Sequence, residues 1–328
     1  MKAERLKESI REMVSREHRP LRGLLAMEWA GIGYLAMTLV MMAVVWPQLV
    51  NAESMLWGRL QFVAATLVAW LAYRRWPCRL MVFARVAVQM VFLGWWYPDT
   101  YELNRTLPNL DHMFATAEQT IFGCQPALLF ADRMPWPWLS EVMCLSYVSY
   151  FSLIVLVMVY YFLCRFDELP KAAFVVLAAF YAYYVVFLLV PVTGPQFYYL
   201  AAGTDNIAQG VFPNLGDWFL THSERMTAPG WSDGFWYHML ELTHDAGERP
   251  TAAFPSSHVG ITTVIMLLAL HTKSRWLPLV VLPFYLCMCF STVYTLAHYA
   301  IDVLAGLLTG TLFYWALSTL YAQKKGLR

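Results

Sequence analysis

The sequence predicts an all-α fold, a polytopic membrane helical bundle of about eight transmembrane helices, and three observations carry that expectation. Composition is the first: of 328 residues, 59% are hydrophobic and only 14% charged, with a mean hydropathy of +0.48, outside the range of water-soluble domains. The second is that apolar runs of about 20 residues, the length that crosses a hydrocarbon layer, recur along the chain. The third is that Lys and Arg gather in alternate connections between those runs. A formal net charge of +1 points to neither nucleic acid nor an acidic partner.

Taken in order, residues 1–23 form a charged leader. Leu6, Ile10, Met13 and Val14 share one helical face, with Glu8 and Arg11, and Glu12 and Arg16, as acid–base pairs beside it. A cytoplasmic amphipathic helix lying in the interface is therefore expected. It is no cleaved signal, because no small-x-small site follows and further spans come after it. Apolar runs then cover 24–46, 55–73, 80–97, 141–164, 172–190, 258–271, 275–295 and 299–320, the sixth of them short. The first three make an N-terminal unit over 24–97, and residues 98–328 hold the rest. Six cysteines, Cys78, Cys124, Cys144, Cys164, Cys287 and Cys289, fall mostly in apolar runs without paired spacing and read as free core thiols.

Basic residues set the orientation. With the N-terminus in the cytoplasm, 17 of the 23 Lys and Arg lie on that side, against four opposite: Arg105, Arg133, Arg225 and Arg249. Arg59 and Arg85 sit inside spans near their ends, where snorkelling is expected of them. Both termini then face the cytoplasm, and two outer connections, 98–140 and 191–257, exceed the length of about 15 residues beyond which loops tend to be functional or disordered. They are rich in Trp, Tyr, Phe and Pro, as an aromatic belt or a lipid-gripping rim would be.

Two polar segments stand at the outer ends of their spans. Asp302 lies one turn inside an apolar run, where an unpartnered carboxylate costs about 2.5–3.5 kcal/mol. His298, four residues earlier, shares a helical face with it and can donate one ring N–H to the carboxylate, leaving the other nitrogen free as a nucleophile. His258, on the same membrane side, can supply a proton to a departing alkoxide. Pro255, Ser256 and Ser257 precede the short span as a helix start whose free N–H groups form an anion site. Arg249 first, and Arg225 in the same loop, are the candidate balancing cations, unless they are ordinary surface arginines. Gln196 either donates to a phosphate oxygen or holds its turn. Tyr299 and Tyr294 either contact a head group or pack at the interface. His238 and His244 show no metal-ligand spacing, so neither a metal nor another cofactor is expected.

Pro-Ser-Ser-His followed by His-x-x-x-Asp resembles the type 2 phosphatidic acid phosphatase superfamily, whose signatures are Lys-x6-Arg-Pro, Pro-Ser-Gly-His and Ser-Arg-x5-His-x3-Asp. Pro255, Ser256, Ser257 and His258 match the second, with Ser257 in place of glycine. Ser291, His298 and Asp302 match the third, with Thr292 in place of arginine. The first is missing, and Pro191-Val-Thr-Gly-Pro195-Gln196-Phe-Tyr198 occupies its place. These departures, with Asp111, Phe122-Gly123-Cys124-Gln125-Pro126, Ser140-Glu141 and Ser146-Tyr147-Val148-Ser149-Tyr150-Phe151, are most similar to the inositol phosphorylceramide synthase branch and its bacterial relatives. The resemblance covers about residues 95–310. It implies a six-helix catalytic core, a phosphohistidine on His298, orientation by Asp302, acid and base work by His258 without metal, and a phospholipid or sphingolipid substrate drawn from the bilayer, with no obligate protein partner evident. The acceptor separates a head-group phosphotransferase from a phosphatase, which uses water. A proton-coupled transporter would need inverted repeats and spans broken midway through the membrane, and neither is found.

Overall fold

Only helices and closed barrels satisfy a backbone in lipid, and the apolar runs all fold as helices. A computed structural model describes residues 11–326, with no strand among them. Its helices are α1 (Ala26–Val45), α2 (Ala52–Arg75), α3 (Arg79–Asn104), α4 (Asp111–Phe122), α5 (Pro126–Arg133), α6 (Pro137–Val148), α7 (Tyr150–Cys164), α8 (Leu169–Leu189), α9 (Pro195–Ala202), α10 (Thr204–Ala208), α11 (Phe235–Gly247), α12 (Ser257–His271), α13 (Trp276–Tyr294) and α14 (Ala300–Gly326). The leader helix expected over the first residues lies largely outside the described residues, of which 11–14 are helical.

Six helices, α1, α2, α3, α8, α13 and α14, are long and apolar enough to cross a membrane, making the chain a multi-pass bundle. Two of the eight expected spans depart from a straight crossing. The fourth is α6 and α7 bent by 51°. Ser149 sits at the bend, where its hydroxyl donates to the Ser146 carbonyl at 2.7 Å and competes with the helical ladder. The sixth is α12, whose 15 residues reach about 22 Å at the helical rise, short of a core of about 30 Å. It packs against α7, α8, α13 and α14.

The apolar helix α8 has no polar face and is buried along most of its length. α1 and α3 pack on one flank of it, and α7, α12 and α14 on the other. α12 and α14 approach closely through glycines: a Cβ at Gly306 would lie 2.6 Å from the Ser256 carbonyl oxygen, and one at Gly310 would lie 2.4 Å from that of Gly260. In the N-terminal unit, Arg59 and Arg85 do not snorkel. Both are buried, Arg59 bonded to Asp99 at 2.7 and 2.8 Å and Arg85 to Glu28 at 2.8 Å, because a carboxylate on a neighbouring turn or helix is within reach and pairing offsets the cost of burial. The two long connections are built over, with α11 packed on α6 and α4 on α14 at one end of the bundle. All six cysteines are free.

Candidate active site

His298 stands in the link between α13 and α14, residues 295–299, rather than on a helix. Leu296 takes a left-handed conformation at φ 64°, which turns the chain so that the His298 N–H reaches the Thr292 carbonyl at 3.0 Å. The helical i, i+4 geometry expected of His298 and Asp302 is therefore replaced by a turn. The Nδ1 of His298 lies 2.8 Å from the carbonyl oxygen of Ala253 and 3.6 Å from Asp302 Oδ2. A carbonyl only accepts, so Nδ1 carries the proton and Nε2 presents a lone pair. Asp302 Oδ2 accepts the Tyr299 N–H at 2.9 Å, capping its own helix, while Oδ1 is buried without a partner. Asp302 thus stands behind the ring as a carboxyl group beyond hydrogen-bond distance, and a backbone carbonyl fixes the tautomer.

His258 occupies the first turn of α12. Ser256 caps that helix, its Oγ accepting the Val259 N–H at 3.3 Å, and the Ser256 N–H donates to the Asp302 carbonyl at 3.1 Å, tying the two motif segments together. Ser257, partly exposed, accepts the Tyr150 hydroxyl at its carbonyl at 3.4 Å. His258 Nδ1 is 3.4 Å from His298 Nε2, with ring centroids 5.6 Å apart. Since His298 Nε2 lacks a proton, His258 is the donor of that contact. The bend at Ser149 puts Tyr147 and Tyr150 against the His258 ring, with centroids 4.6 and 4.5 Å away.

Around this pair the groups are mostly neutral. Burial lowers the pKa of His298 to about 4, against the raising effects of the Ala253 bond and of Glu248. Burial also pushes the Glu248 carboxyl above its ordinary range, with His298 drawing it back. Glu248 Oε1 accepts from Gln196 Nε2 at 3.2 Å and from the Tyr97 hydroxyl at 3.3 Å. His244 on α11 is 2% exposed, with both ring nitrogens unpartnered and its ring edge-on to Tyr147 at 5.3 Å. Burial holds its pKa at about 3.

The other expected residues divide. Gln196 is at the site through Glu248, its own N–H bonded to Leu296 O at 2.9 Å, so it holds its turn as well. Tyr299 is fully buried and donates to Asp111 Oδ1 at 2.9 Å; the same carboxylate takes the N–H groups of Thr193 and Gly194, making Tyr299 part of a scaffold beneath the site. Tyr294 is buried, donating to the Met134 carbonyl at 3.4 Å. Arg249 is exposed, donates to the Glu248 carbonyl at 3.0 Å, and lines a separate cavity of about 200 Å³ with Asn51, Asp99 and Glu102. Arg225 is the closer of the two electrostatically: paired with Glu241 at 2.9 Å and Asp245 at 2.7 Å, its charge is felt by Glu248 and His244. Among the described residues no group of three or more His, Cys, Asp or Glu is arranged to hold a metal.

Sequence reasoning missed the Ala253 carbonyl, Glu248, His244 and the tyrosine clamp. A backbone acceptor leaves no trace in residue type. Glu248 could have been noticed as an acid three residues before Thr251 and the buried Ala252-Ala253 stretch, but nothing in its spacing marks it.

A family model described as the PAP2 superfamily matches residues 112–316, a stretch that includes His258, His298 and Asp302. Searches of curated proteins and of solved structures returned no match.

Proposed function

Because the chain belongs to the PAP2 superfamily, we propose that it is a membrane-embedded enzyme that moves phosphoryl groups on lipid head groups through a phosphohistidine on His298, most like an inositolphosphate-type head-group phosphotransferase of phospholipids or sphingolipids. The observation that carries the reading is the His298 tautomer, with Nδ1–H bound to Ala253 O and a free Nε2 facing His258. Nε2 attacks phosphorus, the bond to the leaving alkoxide breaks, and the proton that His258 holds toward Nε2 passes to the leaving oxygen. At 3.4 Å the two nitrogens leave no room for phosphorus between them, so substrate must part the pair and take over the contact. In the second step an acceptor hydroxyl gives its proton to His258 and attacks phosphorus, and the P–N bond breaks.

Transfer to a lipid hydroxyl rather than to water is supported by the enclosure of His298, which is 3% exposed. Nucleophile and acid are side chains and the orienter is the Ala253 carbonyl with Asp302 behind it, so the proposed reaction calls on no metal. The split of basic residues supports a cytoplasmic position for both termini and an extracytoplasmic one for the site. The test is to incubate the purified protein with a panel of phospholipids, with and without ceramide or inositol lipids, and identify products by mass spectrometry. A head group exchanged onto an added lipid acceptor supports the reading. Release of water-soluble phosphate alone would make the protein a phosphatase.

A further inference from the structure

At the end of the bundle opposite the histidines, two clefts of similar size differ in charge. One, of about 650 Å³, is lined by Glu12, Glu17 and Asp167 as well as Arg16 and Arg79, and holds an Arg79–Glu12 ion pair at 3.6 Å. The other, of about 670 Å³, is lined by His18, Arg19, Arg22 and Arg74 with the rings of Trp70 and Tyr73, and no acid takes part. Glu17, which accepts the Tyr73 hydroxyl at 2.7 Å, turns into the mixed cleft instead. Among the described residues Arg19, Arg22 and Arg74 have no ion-pair partner.

Generic interfacial arginines spread around a span and face water. Here three exposed guanidiniums from two separate segments, the approach to α1 and the end of α2, line one concavity, which shares His18 and Arg19 with the mixed cleft. Arg74 is held over the Trp70 ring at 5.0 Å, which aims it rather than leaving it to wander. Guanidiniums with an aromatic floor at a membrane boundary suit a phosphate carried on a lipid, whose glycerol lies at the depth where tryptophan rings sit. The cleft also communicates with the core: Gly23 lines it, and the Gly23 carbonyl accepts Arg85 Nη2 at 3.0 Å, the arginine that pairs with buried Glu28.

We propose that this cleft binds the phosphate of an anionic phospholipid from the leaflet opposite the active site, and that the bound head group stabilises the N-terminal helices through Gly23 and Arg85. The experiment measures lipid retained by the full-length protein in neutral detergent, by native mass spectrometry, using phosphatidylglycerol, phosphatidylcholine and inorganic phosphate as probes. Phosphatidylglycerol should be retained and phosphatidylcholine not. R22Q and R74Q should each weaken retention about fivefold, equivalent to about 1 kcal/mol per basic residue, while R79Q in the mixed cleft leaves it unchanged. Turnover at the histidine site, at the other end of the bundle, should be unaffected in detergent, so this test stands or falls apart from the proposed reaction. Equal loss with R79Q, equal retention of phosphatidylcholine, or stoichiometric displacement of the lipid by inorganic phosphate would each overturn the assignment.

Discussion

The N-terminal helices and the histidine site both bury polar groups in an apolar surrounding, and they do so in opposite ways. Between α1, α2 and α3 each buried charge meets an opposite one, Arg59 with Asp99 in two parallel bonds and Arg85 with Glu28, although Arg59 Nε, Arg85 Nη1 and Gln89 Oε1 are buried without partners. At the site Asp302 Oδ1, Gln196 Oε1 and both nitrogens of His244 are also buried without partners, and among the described residues no Lys or Arg pairs with Asp302. Unmet atoms, at about 1–3 kcal/mol each, therefore occur in both regions, and the difference lies in the charges, which are paired in the one and meet no cation in the other. In that sense one region is matched and the other unmatched, and each prediction below breaks or sharpens that contrast.

The largest effect belongs to the nucleophile. His298→Ala should abolish turnover and any covalent phosphoenzyme. His258→Ala should lose about 10²–10⁴-fold with ordinary substrates yet still form phosphoenzyme slowly from a substrate whose leaving group needs no proton. Asp302→Asn should lie between: it keeps an oxygen to cap the Tyr299 N–H while removing the carboxyl group 3.6 Å behind the ring. The measurement is acid-labile, base-stable radiolabel on each variant after brief exposure to labelled lipid. Label that persists on His298→Ala and vanishes from His258→Ala would reverse the two roles.

In the matched region the effect should fall on stability. Arg59→Met leaves Asp99 buried and unpaired, and should cost about 3–5 kcal/mol, read as a lower unfolding midpoint in detergent. The double variant Arg59→Met, Asp99→Leu should recover most of that loss. Turnover per folded molecule should be unchanged in both. A double variant that is stable but inactive would show that the N-terminal pair serves the reaction and that the contrast is misdrawn.

These two regions were unequally legible. Six of the spans, and the conspicuousness of His258, His298 and Asp302, follow from hydropathy and spacing, because burial in lipid imposes a long apolar run and makes each interrupting His or Asp stand out, whereas the expected count of eight met a bent pair and a short helix. The bend at Ser149 and the burial of Arg59 and Arg85 do not, since each depends on which turn of a neighbouring helix lies opposite. His298 was legible as a residue but not in its geometry: one left-handed residue, Leu296, takes it off the helix and hands the fixing of its tautomer to the carbonyl of Ala253. Arg249 and Arg225 were indistinguishable in sequence, and only folding directs one to a side cavity and the other toward Glu248.

The pH profile sharpens the comparison further. Burial holds His298 at about 4 and His244 at about 3 in the folded protein, against an ordinary value of about 6.5. A lowered histidine pKa means that the unfolded chain takes up a proton that the folded one refuses. The corresponding stability is therefore fully present above about 6.5 and is lost as pH falls towards 4. The nucleophile, in contrast, stays neutral over that window. The acid limb of kcat/KM assigned to His298 should fall near 4, below the pH at which an exposed histidine would lose its lone pair. A limb at about 6.5 in the parent protein would mean that the site is open and wet, whereas a limb near 4 should move up towards 6.5 in Tyr150→Ala, which admits water.

The smallest expected effect is at His244, and it tests the meaning of an unmatched group most directly. His244→Phe keeps a ring edge against Tyr147 and removes two buried nitrogens that nothing in the fold satisfies. If those nitrogens were only a packing defect, the variant would be more stable and equally active. The contrast drawn above requires both sides to move: a higher unfolding midpoint, because about 1–3 kcal/mol of unmet hydrogen bonding is gone, and turnover reduced about tenfold, because the neutral imidazole N–H beside Tyr147, the ring that packs on His258, is gone with it. Such an exchange of activity for stability is what a preorganised site gives up when it is filled with carbon. Measuring the midpoint and the rate on the same preparation, with His244→Gln as the variant that restores a donor, separates the outcomes. A stable, fully active His244→Phe would place this histidine with the matched scaffold.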